Sequence, residues 1–375
     1  MIGRMGRNAM RRGTGSRFAG VAFALIVSLS VLSTGSQATA LDNSCVLDDG
    51  VLTVSDLPTG SSVLKCDAVG RVVAHEGLSV TIPEPGVGVL GEALTVDGTT
   101  DEFGVDVAQD GTVSYNLGDA PDASGESATG GVDIPAPVVA DPEDASQAEA
   151  DTGFEAADST SGAVTEDEDS DVLSSNGPCS DGAYTTKDLK EYGTYNWYVG
   201  DGGMPAGLSR TDAKWAFYDA IDNITDSSNN CGYTDQVGAR SNFLAGTARE
   251  ASINSNSGCG DDDGLSVWDA GDLKDSHVAY TCSWHWAILG AANDLREADV
   301  RFNTHDHDFT NVVRSNCSNK YDLRSVATHE AGHVFGLGHV GSGHENLTMY
   351  TNSFKCQTTA RTLGKGDVLG LRKLY

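Results

Sequence analysis

His329-Glu330-Ala331-Gly332-His333-Val334-Phe335-Gly336-Leu337-Gly338-His339 is the stretch on which the reading of this chain turns. In a helix, residues four apart project from the same face, so His329 and His333 can reach a single metal ion. Glu330 stands beside the first of them, placed to act as general base toward a water molecule. Gly336 can take up the left-handed conformation that ends a helix, and such a turn would bring His339 round as a third nitrogen ligand. Three protein ligands leave a fourth position open, which is the arrangement of a catalytic rather than a structural zinc site. The expected cofactor is therefore one catalytic Zn2+. The competing reading, a core helix that happens to hold histidines, suits the first five residues alone. It loses ground once Gly336, His339 and the following Met349 fall in register.

Working outward, the motif lies on a helix expected from about Leu323. Upstream, β-prone runs occur at Thr194–Val199, Leu265–Asp269, His277–Trp284 and Ala298–Phe302. Ser209 followed by Asp212 resembles a helix start, and Phe217, Ala220, Ile221 and Ile224 give that helix one apolar face. These elements define a domain over residues 177–375. Residues 41–118 alternate short β-prone runs with turn residues, at Val51–Val54, Ser79–Ile82, Ala93–Val96, Gly104–Val107 and Thr112–Tyr115. They read as a small all-β region, either a propeptide or an accessory unit. Residues 119–176 are almost without aromatics and end in Glu166-Asp167-Glu168-Asp169, the composition of a disordered acidic linker.

The first 40 residues read as a signal peptide. Arg4, Arg7, Arg11, Arg12 and Arg17 precede an apolar run from Phe18 to about Leu32, and Ala38-Thr39-Ala40 supplies small residues for cleavage. The run is too short and too serine-rich for a membrane anchor, so a secreted, extracellular protein is expected. All eight cysteines follow residue 40 and are expected as disulfides. Cys45 and Cys66 fall together in the N-terminal region; the pairing of the other six stays open. The formal charge of −30 is concentrated in residues 41–176, where only Lys65 and Arg71 are basic. That balance repels phosphate backbones, which argues against a nucleic-acid partner.

The motif together with Met349-Tyr350, the lead-in Ser325-Val326-Ala327-Thr328 and the ending Gly366-Asp367-Val368-Leu369-Gly370-Leu371 through Leu374-Tyr375 resembles the metzincin clan of zinc metalloproteases. Within the clan it is most similar to the matrixin branch, especially its small bacterial members, over roughly residues 190–375. The resemblance implies an α+β fold with a five-stranded twisted mixed sheet and three helices, the last of them ending the chain. It implies that His277–Trp286 is an antiparallel edge strand on which a peptide substrate lies extended, with Glu297-Ala298-Asp299-Val300 in the neighbouring strand. Met349 would support the ligands by packing. The long loop that carries a second zinc and calcium in animal matrixins is too short here. No segment matches their inhibitory PRCGxPD sequence, and only Asp367 remains of their adjacent aspartates.

His305-Asp306-His307-Asp308 and Asp261-Asp262-Asp263-Gly264 both read as solvated polar turns, and calcium at the second is unsupported because the full ligand spacing of a known loop is missing. His344 receives no role. The expected function is a secreted zinc-dependent endopeptidase, a monomer acting on protein or peptide substrates. The alternatives are a zinc-bound domain without proteolytic activity, which the presence of Glu330 disfavours, and a protease that keeps its N-terminal region as a surface-binding module. With the propeptide reading, the chain is a zymogen.

Overall fold

The computed structural model describes Cys45 and residues 47–118, 177–287, 293–352 and 355–375. The expected signal peptide and acidic linker lie outside the described residues. Residues 47–118 form β1 (Leu52–Thr53), β2 (Val72–His75), β3 (Leu78–Thr81), β4 (Val87–Thr95), β5 (Asp101–Val107) and β6 (Val113–Asn116). From residue 177 follow β7 (Thr185–Thr186), β8 (Leu189–Lys190), β9 (Tyr195–Val199), α1 (Arg210–Thr225), β10 (Ser241–Gly246), β11 (Gly258–Cys259) and β12 (Ser266–Gly271). Then come β13 (His277–Trp286), β14 (Asn293–Asn303), β15 (Asp308–Thr310), β16 (Lys320–Asp322), α2 (Leu323–Val334), β17 (Leu337–Gly338) and α3 (Lys365–Leu374).

The helix starts follow from their caps. Ser209 accepts a hydrogen bond from the Asp212 amide, and its hydroxyl donates to the Asp212 carboxylate, so α1 begins where the sequence places it. Asp322 accepts from the Ser325 amide at the head of α2 and is held in turn by Arg361 at 2.5 Å. Nearly every residue of α2 is buried, which puts the histidine helix in the middle of the molecule.

The main sheet runs in the order β10-β9-β12-β14-β13-β4-β5-β6, with β8 added alongside β14. Of its first five strands, β9, β12, β13 and β14 fall on β-prone runs of the sequence and β10 does not; four run parallel and β13 antiparallel. The expectation of a five-stranded sheet ending at β13 is nevertheless corrected. β4 pairs antiparallel with β13 from Val87 opposite Trp286 to Thr95 opposite His277, so His277–Trp286 is an interior strand. An unpaired sheet edge presents a row of open amides and carbonyls, and β4 satisfies them. The sequence underestimates β4, placing its start at Ala93, because Gly88 and Gly91 interrupt the β-branched pattern. At Gly91 a Cβ atom would lie 2.0 Å from the Tyr280 hydroxyl, so the close passage of the two strands requires a residue without a side chain.

Alternation along the strands divides the sheet's two faces between two cores. On one face Trp268, Phe302 and Ala279 pack under α1 and α2, with the Phe217 and Phe302 rings stacked at 5.0 Å. On the other face Val267, Tyr280, Cys282 and Trp284 share a core with Val80, Val89, Phe103 and Val105 of the N-terminal region. There, β1-β2-β3 form a second sheet that ends on β11, a strand of the C-terminal part. The cysteines pair as Cys45–Cys66, Cys179–Cys231, Cys259–Cys282 and Cys317–Cys356. Cys259–Cys282 ties β11 to β13 and so couples the two sheets. Among the described residues no helix is long and apolar enough to cross a membrane.

Candidate metal centre

His329 and His333 lie one turn apart on α2, and the chain then turns sharply at Gly336, where φ is +89°. The short strand β17 after that turn pairs with β7, and the Thr185 hydroxyl donates to the His339 carbonyl at 2.7 Å, which fixes the third histidine. The result is a near-equilateral triangle: the three Nε2 atoms are each 3.1 Å from the other two. Metal–imidazole bonds run to about 2.0–2.1 Å, and one point can lie at that distance from all three nitrogens.

The second ring nitrogens set the tautomers. His329 Nδ1 donates to the Thr348 carbonyl at 2.7 Å and His333 Nδ1 donates to the Leu337 carbonyl at 3.0 Å, leaving the Nε2 lone pairs turned inward. Burial keeps all three imidazoles neutral. It pushes His333 down to about 3 and holds His329 and His339 well below the usual histidine range. Neutral and converging, these rings suit a divalent transition metal.

Gly336 is the mechanical key to this arrangement. Besides the positive φ, a Cβ atom there would sit 2.1 Å from the Leu189 carbonyl oxygen, a backbone atom that cannot step aside cheaply. Gly336→Ala is expected to lower stability by about 2–4 kcal/mol and to displace His339. Thermal unfolding together with zinc titration checks both effects.

Below the triangle, Met349 is buried against Gly332 so closely that a Cβ atom on Gly332 would fall 2.2 Å from the Met349 sulfur. The turn carrying Met349 is clamped by Asp367, whose buried carboxylate accepts from the amides of Thr348 at 2.9 Å, Met349 at 3.2 Å and Gly364 at 2.8 Å. Asp367 therefore joins α3 to the floor of the site, a role that its sequence context does not disclose. Beside His329 a small hollow is lined by Glu345, Leu347, Thr348, Asn352 and Ala360, all from the segment between β17 and α3.

Glu330 is fully buried beside the triangle. The Thr281 hydroxyl of β13 donates to its Oε2 at 2.5 Å, while Oε1 has no hydrogen-bond partner among the described residues. Burial raises its carboxyl to about 8. Such a group can both take and release a proton near neutral pH.

Comparison with known proteins follows the same lines. The matrixin family model matches residues 271–375, which hold β13, β14, α2 with its three histidines, the Met349 turn and α3. These residues form a matrixin domain. The chain is 42% identical over 64 residues to Metalloendoproteinase 1 of Glycine max, covering 17% of this chain and 20% of that protein. It is 50% identical over 54 residues to Metalloendoproteinase 1-MMP of Arabidopsis thaliana, covering 14% of each. The chain thus matches only a small part of the length of these relatives.

The other sequence candidates lie outside the matrixin site. His305 pairs with Asp306 at 3.1 Å and lies 3.4 Å from Asp272, forming an exposed cluster. His307 instead packs edge-on against Tyr321. In the Asp261–Gly264 turn, Asp262 pairs with Arg296 at 3.0 Å and Asp263 lies 3.7 Å from Arg249, which is the behaviour of a charged surface turn. His344 is held by Asp181 at 2.8 Å. The connection from β12 to β13 spans only residues 272–276, and it holds no histidine.

Proposed function

We propose that this protein is a secreted zinc-dependent endopeptidase in which His329, His333 and His339 hold the metal and Glu330 is the general base. The observation that carries this reading is the inward-facing triangle of Nε2 atoms with a buried carboxylate beside it. A zinc ion there supplies Lewis acidity toward the scissile carbonyl and makes an attacking water easier to deprotonate. Glu330 accepts the proton from the attacking water and delivers it to the departing amine. The Thr281 hydroxyl fixes one of its oxygens, so the other is the one that exchanges the proton. β13 offers main-chain groups to an extended peptide once its outer edge is free.

In this reading the first 40 residues direct export and residues 41–118 act as a propeptide, with residues 119–176 as the connecting linker. A second reading, in which the N-terminal region stays as a permanent module, draws support from the pairing of β3 with β11 and from the core shared across the sheet. N-terminal sequencing of the protein recovered from culture medium separates them: a start near residue 177 supports removal, and a start at Leu41 supports retention. Mass spectrometry of products from an unfolded protein substrate tests the endopeptidase assignment. Internal cuts are expected; release of terminal residues alone would refute it.

A further inference from the structure

We propose that Lys187 is a specificity residue, selecting peptides that carry a glutamate, or less strongly an aspartate, at the position paired with Thr281 of β13. This rests on the endopeptidase reading above and on removal of the N-terminal region. Lys187 lies in the connection between β7 and β8, and its amide donates to the Gly336 carbonyl at 2.8 Å, at the turn between the second and third histidines. Its side chain then passes over Gly338, where a Cβ atom would fall 2.9 Å from the lysine Cε. Glycine at that position makes room for the lysine stem, one residue before His339. The cation is thereby carried beside the three histidines by the same turn that places the last of them.

What Lys187 faces shows what it recognises. Its Nζ lies 2.5 Å from Glu102 Oε2 and 3.6 Å from Glu92 Oε1, and among the described residues these are its ion-pair partners. Both belong to the N-terminal strands. Thr281, Glu92 and Glu102 stand opposite one another on β13, β4 and β5, so their side chains share the face of the sheet on which the Thr281 hydroxyl meets Glu330 of α2. A peptide that adds to β13 takes the edge with which β4 now pairs, and its residues alternate between the two faces. Its residue opposite Thr281 therefore directs a side chain to the place where that of Glu92 lies. Without the N-terminal strands, Lys187 is a lone cation on the wall of the site, and a bound peptide covers it. A covered charge without a partner is costly, and a carboxylate of the substrate removes that cost. A hydrogen bond between charged groups is worth about 10–100-fold in affinity. Glutamate has the reach that Glu92 has; aspartate falls one methylene short.

The test uses zinc-loaded protein recovered from culture medium, with its N-terminus sequenced. Two fluorescent nonapeptides serve as binding probes, one with the sequence of Val87–Thr95 and one with Glu92→Gln in that sequence. A peptide library cut by the same preparation gives the cleavage preference by mass spectrometry. The glutamate probe is expected to bind about 10–100-fold more tightly than the glutamine probe, and glutamate to be enriched at one fixed position beside the cuts. Lys187→Met should abolish both differences, and Lys187→Arg should preserve them. So that the precursor still folds, Lys187→Met is made together with Glu92→Gln and Glu102→Gln, which leave with the N-terminal region. Equal binding of the two probes overturns the proposal, as does a preference that survives in Lys187→Met or a secreted protein that keeps residues 41–118. Lys187-dependent binding without any cleavage upholds the recognition and refutes the endopeptidase reading; cleavage without an acidic preference does the reverse.

Discussion

Glu330→Gln, introduced into chain from which the N-terminal region has been processed away, is expected to lower peptide-bond cleavage by about 10²–10⁴-fold, the range that a positioned general base contributes, while the protein still binds zinc. The substitution keeps the side chain's volume and a hydrogen-bond partner for Thr281, and it removes the atom that takes the proton. It also replaces a fully buried carboxyl with a neutral amide, so the fold should be as stable as the parent's or slightly more so. None of the three metal-facing nitrogens is disturbed. Metal analysis and a fluorescent casein assay on the same preparation give the result. Activity within tenfold of the parent would remove Glu330 from the chemistry.

The second large effect concerns folding. Residues 177–375 alone are expected to be folded but markedly less stable and less soluble than the same residues within the full chain. Without the N-terminal strands, Tyr280, Cys282, Trp284 and Val267 lose the partners that cover them on the outer face of the main sheet. Each large apolar side chain returned to water costs about 1.5–3 kcal/mol, so several such losses take a large share of the stability of an ordinary domain, about 5–15 kcal/mol. The outer edge of β13 would be bared at the same time, an invitation to aggregation. Soluble yield and near-ultraviolet circular dichroism of the two forms decide the point. A truncated domain as soluble and as well packed as the full chain would show that the N-terminal region is dispensable for folding.

Much of this was legible in the sequence, for identifiable reasons. The histidine spacing fixes the triangle of imidazoles because helix periodicity and one left-handed glycine leave the three rings little freedom. Ser209 and the apolar positions of α1 are similarly local signals, and the structure bears them out. What escaped is non-local. β10 is mostly exposed and weakly patterned, so nothing in Ser241–Gly246 marks it as the far edge of the sheet. β4 hides behind its glycines, and those are there because Tyr280 lies across the strand, which only the fold reveals. Glu92, Glu102 and Lys187 look like ordinary charges in separate segments. The one available hint was a glutamate centred in the apolar run from Val87 to Thr95. Asp367 was noticed as a remnant of a family pattern, yet its grip on the Met349 turn depends on where the fold sets α3 against residues 348–349.

The central claim, that three histidines hold a hydrolytic zinc, is tested most directly by measuring zinc content and casein cleavage together on processed protein, before chelation, after it, and after zinc is restored. The account predicts about one tightly held zinc per chain, cleavage lost with the metal and regained with it, and neither binding nor cleavage in His339→Ala. Cleavage that survives complete removal of zinc, or a zinc content unchanged in His339→Ala, would contradict it.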